Sequence, residues 1–410
     1  MIMARERIIA GLDLGTTKVS SVIAEVTDGE LRVIGVGTVP SGGLRKGVVV
    51  NIEKTIKTIR EAVGEAESMA GIKVDSLYVG IAGDHIQSLD NRGAVVVSHP
   101  DRGITRNDVD RVMSVARAVT IPMDRELIHV LPQEFIVDDQ DGIKDPIGMF
   151  GVRLEARVHI VTGAVTSAQN IYKSVRQAGI KIKDLVLQPL ASSYAVALPD
   201  EIELGVGILD IGGGTTDIAL FFDGALRHVA VIGLGSGNVT NDIAIGLRTS
   251  LEEAEEIKKS HGCALSTMVK GDETFTVTGI GDRKPREVEK ESLVGIIQPR
   301  MEEILSVALR EIRKSDYADL LPSGLILTGG GALLQGTVEL AERIFDMPVR
   351  LGLPRGVEGH LDLVHSPIYS TALGLILFAS KDGEAMSRFK ANGRLSGIWI
   401  KLKQWFEDFL

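Results

Sequence analysis

Cysteine is nearly absent from this chain: Cys263 is the only one in 410 residues. No internal disulfide can form, which fits a reducing compartment. The 8 histidines are scattered, and no Cys/His group has the spacing of a zinc site. Long apolar runs are missing too. No window reaches 18 consecutive apolar residues, so no stretch is expected to cross a bilayer as a helix. The start, MIMARERIIAGLDLG, carries neither a long apolar run nor a cleavage site, so no signal peptide is expected. Positive charge is in deficit, with 45 Lys+Arg against 55 Asp+Glu, a net charge of −10 and a pI of about 5.4. That balance argues against nucleic acid as the main partner. Tryptophan is down to 2 residues, and both, Trp399 and Trp405, fall in the last 12 positions. The remainder is ordinary for a soluble globular protein, 44% apolar and 24% charged. A chain this long exceeds one core, and roughly two to four domains are expected.

Glycine, by contrast, is placed in telling positions. The stretch 208–217, ILDIGGGTTD, ends an apolar run in Asp210. Gly212, Gly213 and Gly214 follow in a row, then Thr215, Thr216 and Asp217. Three residues without Cβ let the backbone bend sharply and bring its N–H groups against a bulky anion. A carboxylate beside a phosphate makes sense when hydrated Mg2+ lies between them. The stretch therefore suggests a nucleotide–metal site, although alone it also fits a plain Gly-rich hairpin.

A second copy stands near the start: IIAGLDLGTTKVSSVIAEV, residues 8–26. Each copy runs strand, Leu-Asp-Leu/Ile-Gly, small hydroxyl residues and a second strand. Each then turns at Asp-Gly (Asp28-Gly29 and Asp223-Gly224) into a third strand, a strong hairpin signal. Asp13 and Asp210 are 197 residues apart (210 − 13). Two copies of one unit half a chain apart imply two related domains facing each other. Their glycine turns would then hold one polyphosphate between them.

Taken in order, residues 41–50 (SGGLRKGVVV) read as a loop entering a strand. Residues 51–69 are helical by pattern, with Ile52, Ile56, Ile59 and Val63 at three- and four-residue steps. Residues 85–160 have another texture. Strands at 93–98, 126–132, 134–137 and 152–160 surround a helix at 104–118, which opens on Thr105 with Asp108 three residues on, a capping-box start. About 75 residues suffice for a small α/β insertion domain. No catalytic constellation stands out in it, and His129 and His159 read as packed or surface groups. Gln188-Pro189 opens a small-residue helix at 190–198 that bridges the two domains. Residues 233–238 (GLGSGN) read as a flexible turn. In the helix at 251–260, Glu255, Lys258 and Lys259 read as an exposed ion-pair face. A long amphipathic helix is expected at 293–312. A third glycine loop then follows, strand 324–328 and Gly329, Gly330, Gly331, with a helix expected from residue 334. That order aims free N–H groups and a positive helix end at the turn. A last apolar helix is expected at 370–378.

The tail is different again. Residues 381–396 are polar with two glycines and read as a linker. In residues 397–410, GIWIKLKQWFEDFL, a helical wheel gathers Ile398, Trp399, Leu402, Trp405, Phe406, Phe409 and Leu410 into an arc about 140° wide. Fourteen residues cannot span a bilayer but can lie in its surface. The rings favour the interface, and Arg388, Lys390, Arg394, Lys401 and Lys403 favour anionic lipid.

LDLGTTK at 12–18, LDIGGGTTD at 209–217 and LTGGGA at 327–332, in that order, resemble the two phosphate loops and adenosine loop of the actin/sugar-kinase/heat-shock-chaperone superfamily. Within it, GIAGDHI at 80–86, HVLPQEFIVDDQDGIKDPIGMFG at 129–151 and the tail are similar to the FtsA family of bacterial cell division. The resemblance covers the whole chain. It implies an α/β fold, the actin-like two-domain ATPase fold of duplicated RNase H-like domains, with an inserted subdomain and a C-terminal amphipathic helix. The implied division is subdomain 1A at 1–84, 162–199 and 365–382, and inserted subdomain 1C at 85–161. Subdomain 2A would hold 200–240 and 301–364, subdomain 2B 241–300, with a linker at 383–396 and the membrane helix at 397–410.

By the same resemblance, the cofactors are ATP and Mg2+, the metal held through water by Asp13 and Asp210. Gly15, Thr16, Thr17, Lys18, Gly212, Gly213, Gly214 and Thr215 would cradle the phosphates, with Gly235 beside them. Gly329, Gly330, Gly331 and Ala332 would border the adenosine, with Glu255 and Lys258 near ribose and base. Gln188 takes the position that orients the attacking water, so slow hydrolysis is allowed and not required. Expected partners are the FtsZ C-terminal peptide, with Arg300 at the start of the long helix as a contact, further copies of the chain in filaments, other division proteins through the insert, and anionic lipid. The implied place is the cytoplasmic face of the membrane at the division site. Two other readings remain: an MreB-like shape filament, and a small-molecule kinase using Asp217, the one unassigned carboxylate, as base.

Overall fold

The computed structural model describes residues 7–270, 273–279, 284–360 and 364–391, with side chains up to Lys381. Its plan is two lobes of one topology. In the first, β1 (Arg7–Leu14), β2 (Lys18–Thr27) and β3 (Glu30–Pro40) form an antiparallel meander. A hairpin of two short strands, β4 (Leu44–Arg45) and β5 (Val48–Val49), precedes α1 (Ile52–Ala70) and β6 (Ser76–Ile81). The inserted subdomain supplies β7 (Gln87–Val96), α2 (Arg106–Ala116), β8 (Arg125–Val137), β9 (Gln140–Ile143) and β10 (Arg153–Ala164). The chain returns through α3 (Val165–Gln177) and β11 (Lys181–Leu187) to α4 (Gln188–Val196) and α5 (Pro199–Leu204).

In the second lobe, β12 (Val206–Ile211), β13 (Thr216–Phe222) and β14 (Ala225–Ile232) repeat the meander. Then come α6 (Ser236–Leu247), α7 (Leu251–His261), β15 (Thr274–Val277), β16 (Arg286–Glu289) and α8 (Lys290–Arg313). The lobe closes with β17 (Leu325–Thr328), α9 (Thr337–Phe345) and β18 (Val349–Leu351), and the short β19 (Glu358–Gly359) then pairs with β3 at the edge of the first lobe's sheet. The last helix, Ser370–Ala391, returns to the first lobe.

The sheet orders make the duplication explicit: β11-β6-β1-β2-β3-β19 in the first lobe and β14-β13-β12-β17-β18 in the second. In each, three antiparallel strands are extended by two parallel ones at the side of the first strand. The Asp-Gly hairpins are built as the sequence implies. Asp28 and Gly29 take φ of 53° and 89°, Asp223 and Gly224 of 53° and 71°, the left-handed values a two-residue turn requires. One apolar core fills the first lobe and continues into the second through Leu190, Ala191, Val206, Ile208 and Ile326. A second core fills the outer part of the second lobe, and a third, around Val112, Leu154 and Val158, belongs to the insert.

Several elements differ from the sequence expectations. Residues 41–50 are a hairpin rather than a loop entering one strand, because Lys46 and Gly47 both adopt positive φ, 49° and 76°. The two strands expected at 126–137 are one strand, β8, bent by bulges against β10. The turn at 233–238 is ordered: α6 begins at Ser236, with the Gly235 N–H donating to Asn238 Oδ1. The third glycine loop leads into a 3-10 turn, Gly330–Leu333. Gly336, at φ 79°, delays α9 to Thr337, so no α-helix starts at the glycines. Arg300 is not at the start of α8 but near its middle, because the helix begins at Lys290 and carries Pro299 inside it. Helix formers such as Glu384, Ala385, Met386 and Ala391 carry the last helix into part of the expected linker. The membrane-helix residues Ile398 to Leu410 lie outside the described residues.

Candidate functional site

A cleft of about 1510 Å³ opens between the lobes, and the glycine loops of both face it. Its floor is set by the strand ends. Asp13 closes β1 opposite Ser20, and Asp210 closes β12 opposite Asp217. Both aspartates are 7% exposed. Burial pushes the Asp13 carboxyl up, against the nearby Lys18 ammonium, which lowers it. Burial first, and the neighbouring Asp13 second, push Asp210 up to about 6, although the Thr371 hydroxyl donates to Asp210 Oδ2 at 3.0 Å. Asp217 is driven well above the usual range by burial and by Asp210, and its Oδ1 is buried without a partner.

The loops interlock across the cleft. A Cβ on Gly213 would stand 2.2 Å from Thr17 Cγ2, and one on Gly214 2.5 Å from Thr16 Oγ1. Behind them, Ser236 N and Gly237 N donate to the carbonyls of Gly212 and Gly213, at 2.9 and 2.8 Å. Lys18 is held by its own lobe: its Nζ donates to Ser20 Oγ at 2.9 Å, lies 3.6 Å from Asp13 Oδ2 and sits over the Tyr369 ring. Gln188 opens α4 on the first lobe's side. Its Nε2 donates to Asp13 Oδ1 at 3.1 Å, and Gly80 leaves room for its stem.

On the second lobe's side, α7 and the third loop form a wall. Lys258, read as an exposed helix-surface residue, is buried at 9% exposure. Its Nζ contacts Glu255 Oε2 at 2.7 Å and Thr240 Oγ1 at 2.8 Å. Burial lowers its pKa against the opposing effect of Glu255. The physical reason is that α6 packs on that face of α7 and brings Thr240 to it. Gly329, Gly330 and Gly331 line the cleft, while Ala332 is buried beneath them and Gly235 backs the second loop. Arg300 lies apart from the cleft, paired with Asp242 at 2.5 Å and with Glu303. His129 and His159 are both packed. His129 Nε2 accepts from Leu187 N at 3.0 Å, and His159 Nδ1 meets Asp90 Oδ1 at 2.6 Å.

Sequence reasoning missed three contributors. Thr371 reaches Asp210 from 161 residues away, Thr240 completes the Glu255–Lys258 pair, and Gly47 lines the cleft from the β4–β5 hairpin. No spacing rule marks them, because only the tertiary fold brings them there.

Two lobes of repeated topology with glycine loops facing one cleft define the actin-like class. The fold is matched by a PilM–PilN type IV pilus biogenesis complex chain, with a TM-score of 0.67 at 18% identity, covering 91% of this chain and 98% of that one. It is matched also by MreB5 of Spiroplasma citri bound to ADP, with a TM-score of 0.57 at 14% identity, covering 94% and 99%. The family model "Cell division protein FtsA" matches residues 207–374, and "SHS2 domain inserted in FTSA" matches residues 83–162. Cell division protein FtsA of Pseudomonas aeruginosa is 48% identical over 98% of both chains. That of Escherichia coli K12 is 40% identical over 99% of both, and that of Bacillus subtilis 41% identical over 94% of this chain and 86% of its own. The chain belongs to the FtsA family of cell division proteins.

Proposed function

We propose that the cleft binds ATP with Mg2+ and that occupancy controls assembly of this FtsA-family protein into filaments at the cytoplasmic face of the membrane. There it would tie FtsZ filaments to the division site through the helix at 397–410 and recruit later division proteins. The observation that carries the reading is the convergence of glycine loops from both lobes on a floor of two buried aspartates. Lys18 offsets one of the two buried carboxylates and leaves the other uncompensated, and an oxygen-seeking hydrated cation fits that donor set. Asp13 and Asp210 would hold it through water. Gly15, Thr16, Thr17, Lys18, Gly212, Gly213, Gly214 and Thr215 would take the phosphates. Glu255, Lys258 and the third loop would border ribose and base. Gln188, whose Nε2 donates to Asp13 Oδ1, would orient a water, so slow hydrolysis is compatible with the reading.

Subdomain boundaries follow the same reading: 1A (1–84, 162–199, 365–382), 1C (85–161), 2A (200–240, 301–364) and 2B (241–300). Arg300 would serve the FtsZ peptide from the outer part of the second lobe, exchanging its Asp242 pairing for an acidic group of that peptide. Co-sedimentation with anionic liposomes, ATP and the FtsZ tail peptide tests the whole. Full-length chain should pellet with lipid and bring the peptide down. A chain ending at residue 396 should stay in the supernatant with unchanged ATP affinity. Lipid binding by the truncated chain would remove the anchor from this reading.

A further inference from the structure

The β4–β5 hairpin is the part of the cleft rim that the nucleotide reading leaves without a task. Its tip, Lys46-Gly47, is a two-residue turn with both residues at positive φ, 49° and 76°. Aspartate occupies the equivalent first position in the Asp28-Gly29 and Asp223-Gly224 hairpins. Short polar residues tolerate that conformation best, and a long side chain there costs about 1 kcal/mol. In the β4–β5 hairpin, where the next residue Gly47 lines the cleft, the position holds a lysine instead. An aspartate would repel an anion at this spot, whereas an ammonium attracts one.

The tip is fixed on both sides. Gly47 N donates to Thr16 Oγ1 at 3.2 Å, which fastens the hairpin to the first phosphate loop. The Lys46 side chain then crosses to the other lobe. A Cβ built on Gly233 would stand 3.4 Å from Lys46 Cδ and 3.6 Å from its Nζ. Gly233 enters the turn whose Ser236 and Gly237 amides hold the second phosphate loop. The exposed ammonium thus stands beside Gly233, next to Gly47, which lines the cleft. Among the described residues no hydrogen bond or ion pair engages it, whereas Lys18, on the same loop as Thr16, is held by Asp13 and Ser20.

We propose that Lys46 is a specificity-determining residue that engages the terminal phosphate of the nucleotide and favours the triphosphate over the diphosphate. The inference rests on nucleotide binding in the cleft. A charge-assisted contact made to the last phosphate alone stabilises ATP and leaves ADP without it. By joining Thr16 to the Gly233 turn, the same contact holds the lobes together when that phosphate is present.

Titration calorimetry on the full chain with Mg2+, comparing ADP with the non-hydrolysable triphosphate AMPPNP, tests it. In Lys46→Ala the preference for AMPPNP over ADP should fall about tenfold, the worth of one charged hydrogen bond. Lys46→Arg should keep the preference within about threefold. Unchanged circular dichroism would show that the exposed substitution leaves the fold intact. If both affinities move by one factor in Lys46→Ala, or neither moves, Lys46 does not read the terminal phosphate, and the nucleotide site itself still stands. If the wild-type chain binds neither ligand, the nucleotide reading fails and this inference with it.

Discussion

Asp210 shows what the cleft asks of single residues. Its carboxyl titrates near 6 rather than 3.8, because burial and Asp13 disfavour the charged form. The folded state therefore holds the proton more tightly than the unfolded chain. That stability is fully present below pH 3.8 and lost as pH rises through about 6. At 1.36 kcal/mol per unit, the loss above pH 6 is about 3 kcal/mol. Asp210→Asn should therefore melt higher than wild type at pH 7.5 without ligand, and the gap should narrow as pH falls towards 4. Adding Mg·ATP should reverse the order, because a neutral amide holds the hydrated cation more weakly than a carboxylate. A variant that melts lower at every pH would show that the buried charge carries no such cost. Gly213→Ala makes a steric counterpart. Its Cβ would stand 2.2 Å from Thr17 Cγ2, 2.7 Å from its Oγ1 and 3.0 Å from its Cβ, so turning the side chain does not clear the clash and the two loops must move apart. Nucleotide affinity should drop more than tenfold while the melting temperature hardly moves, since the contact lies in the cleft and not in the apolar cores.

At the scale of elements, the site depends on one helix crossing. Helix α4 carries Gln188 at its start and crosses the last helix where Gly374 faces Ala191. A Cβ on Gly374 would stand 1.8 Å from the Ala191 carbonyl oxygen. Backbone cannot rotate out of the way, so Gly374→Ala should cost about 3 kcal/mol in urea unfolding. It should also weaken nucleotide binding, because moving α4 pulls Gln188 from Asp13. Near-wild-type stability would mean that the helices can separate freely. This crossing was invisible in the sequence, which shows Gly374 only as one glycine in an apolar run. Legibility follows range. The repeated meanders and the Thr105–Asp108 capping box were readable, because their signals are local: Asp-Gly turns, apolar alternation, and a cap three residues from its partner. The floor aspartates were readable through their place at the ends of matching strands. The β4–β5 hairpin was missed because a lysine stands where turn chemistry predicts Asn or Asp. Lys258 was misread because the spacing that makes a surface ion pair also fits a buried one, and only Thr240 on α6 decides between them.

Over the whole molecule, the inserted subdomain meets the two lobes unequally: β8 touches both, β7 and β10 also pack on β14, and Lys144 pairs at the surface with Glu203 and with Asp223 of the second lobe. On β8, His129 accepts the Leu187 amide, and its ring meets Phe378 of the last helix edge-on. Burial lowers the His129 pKa to about 4, so the ring is neutral and its Nε2 is free to accept. Four residues on, Gln133 Nε2 reaches the Leu226 carbonyl of the second lobe at 3.4 Å, a long bond, and Asp90 at 3.2 Å. Around that second contact, Gln133 Oε1, His159 Nε2 and His228 Nε2 are all buried without partners. Each such group weakens the interface by about 1–3 kcal/mol. The grip on the first lobe is thus buried and firm, while the grip on the second rests on a long bond and on exposed Lys144 pairs that contribute little, so the insert should stay with the first lobe when the cleft opens. His129→Ala should cost about 2 kcal/mol or more, by cavity and by the orphaned Leu187 amide. Gln133→Ala should cost under about 1 kcal/mol. The acid limb should separate them too. His129 contributes stability that is complete above pH 6.5 and lost as pH falls through 4. The stability of the Ala variant should therefore decline less between those values than that of wild type or Gln133→Ala. Hydrogen exchange of the full chain should show β14 amides opening before Leu187. Equal costs for the two substitutions, or β14 protected longer than Leu187, would mean that the insert is bound to both lobes alike and cannot follow the first alone.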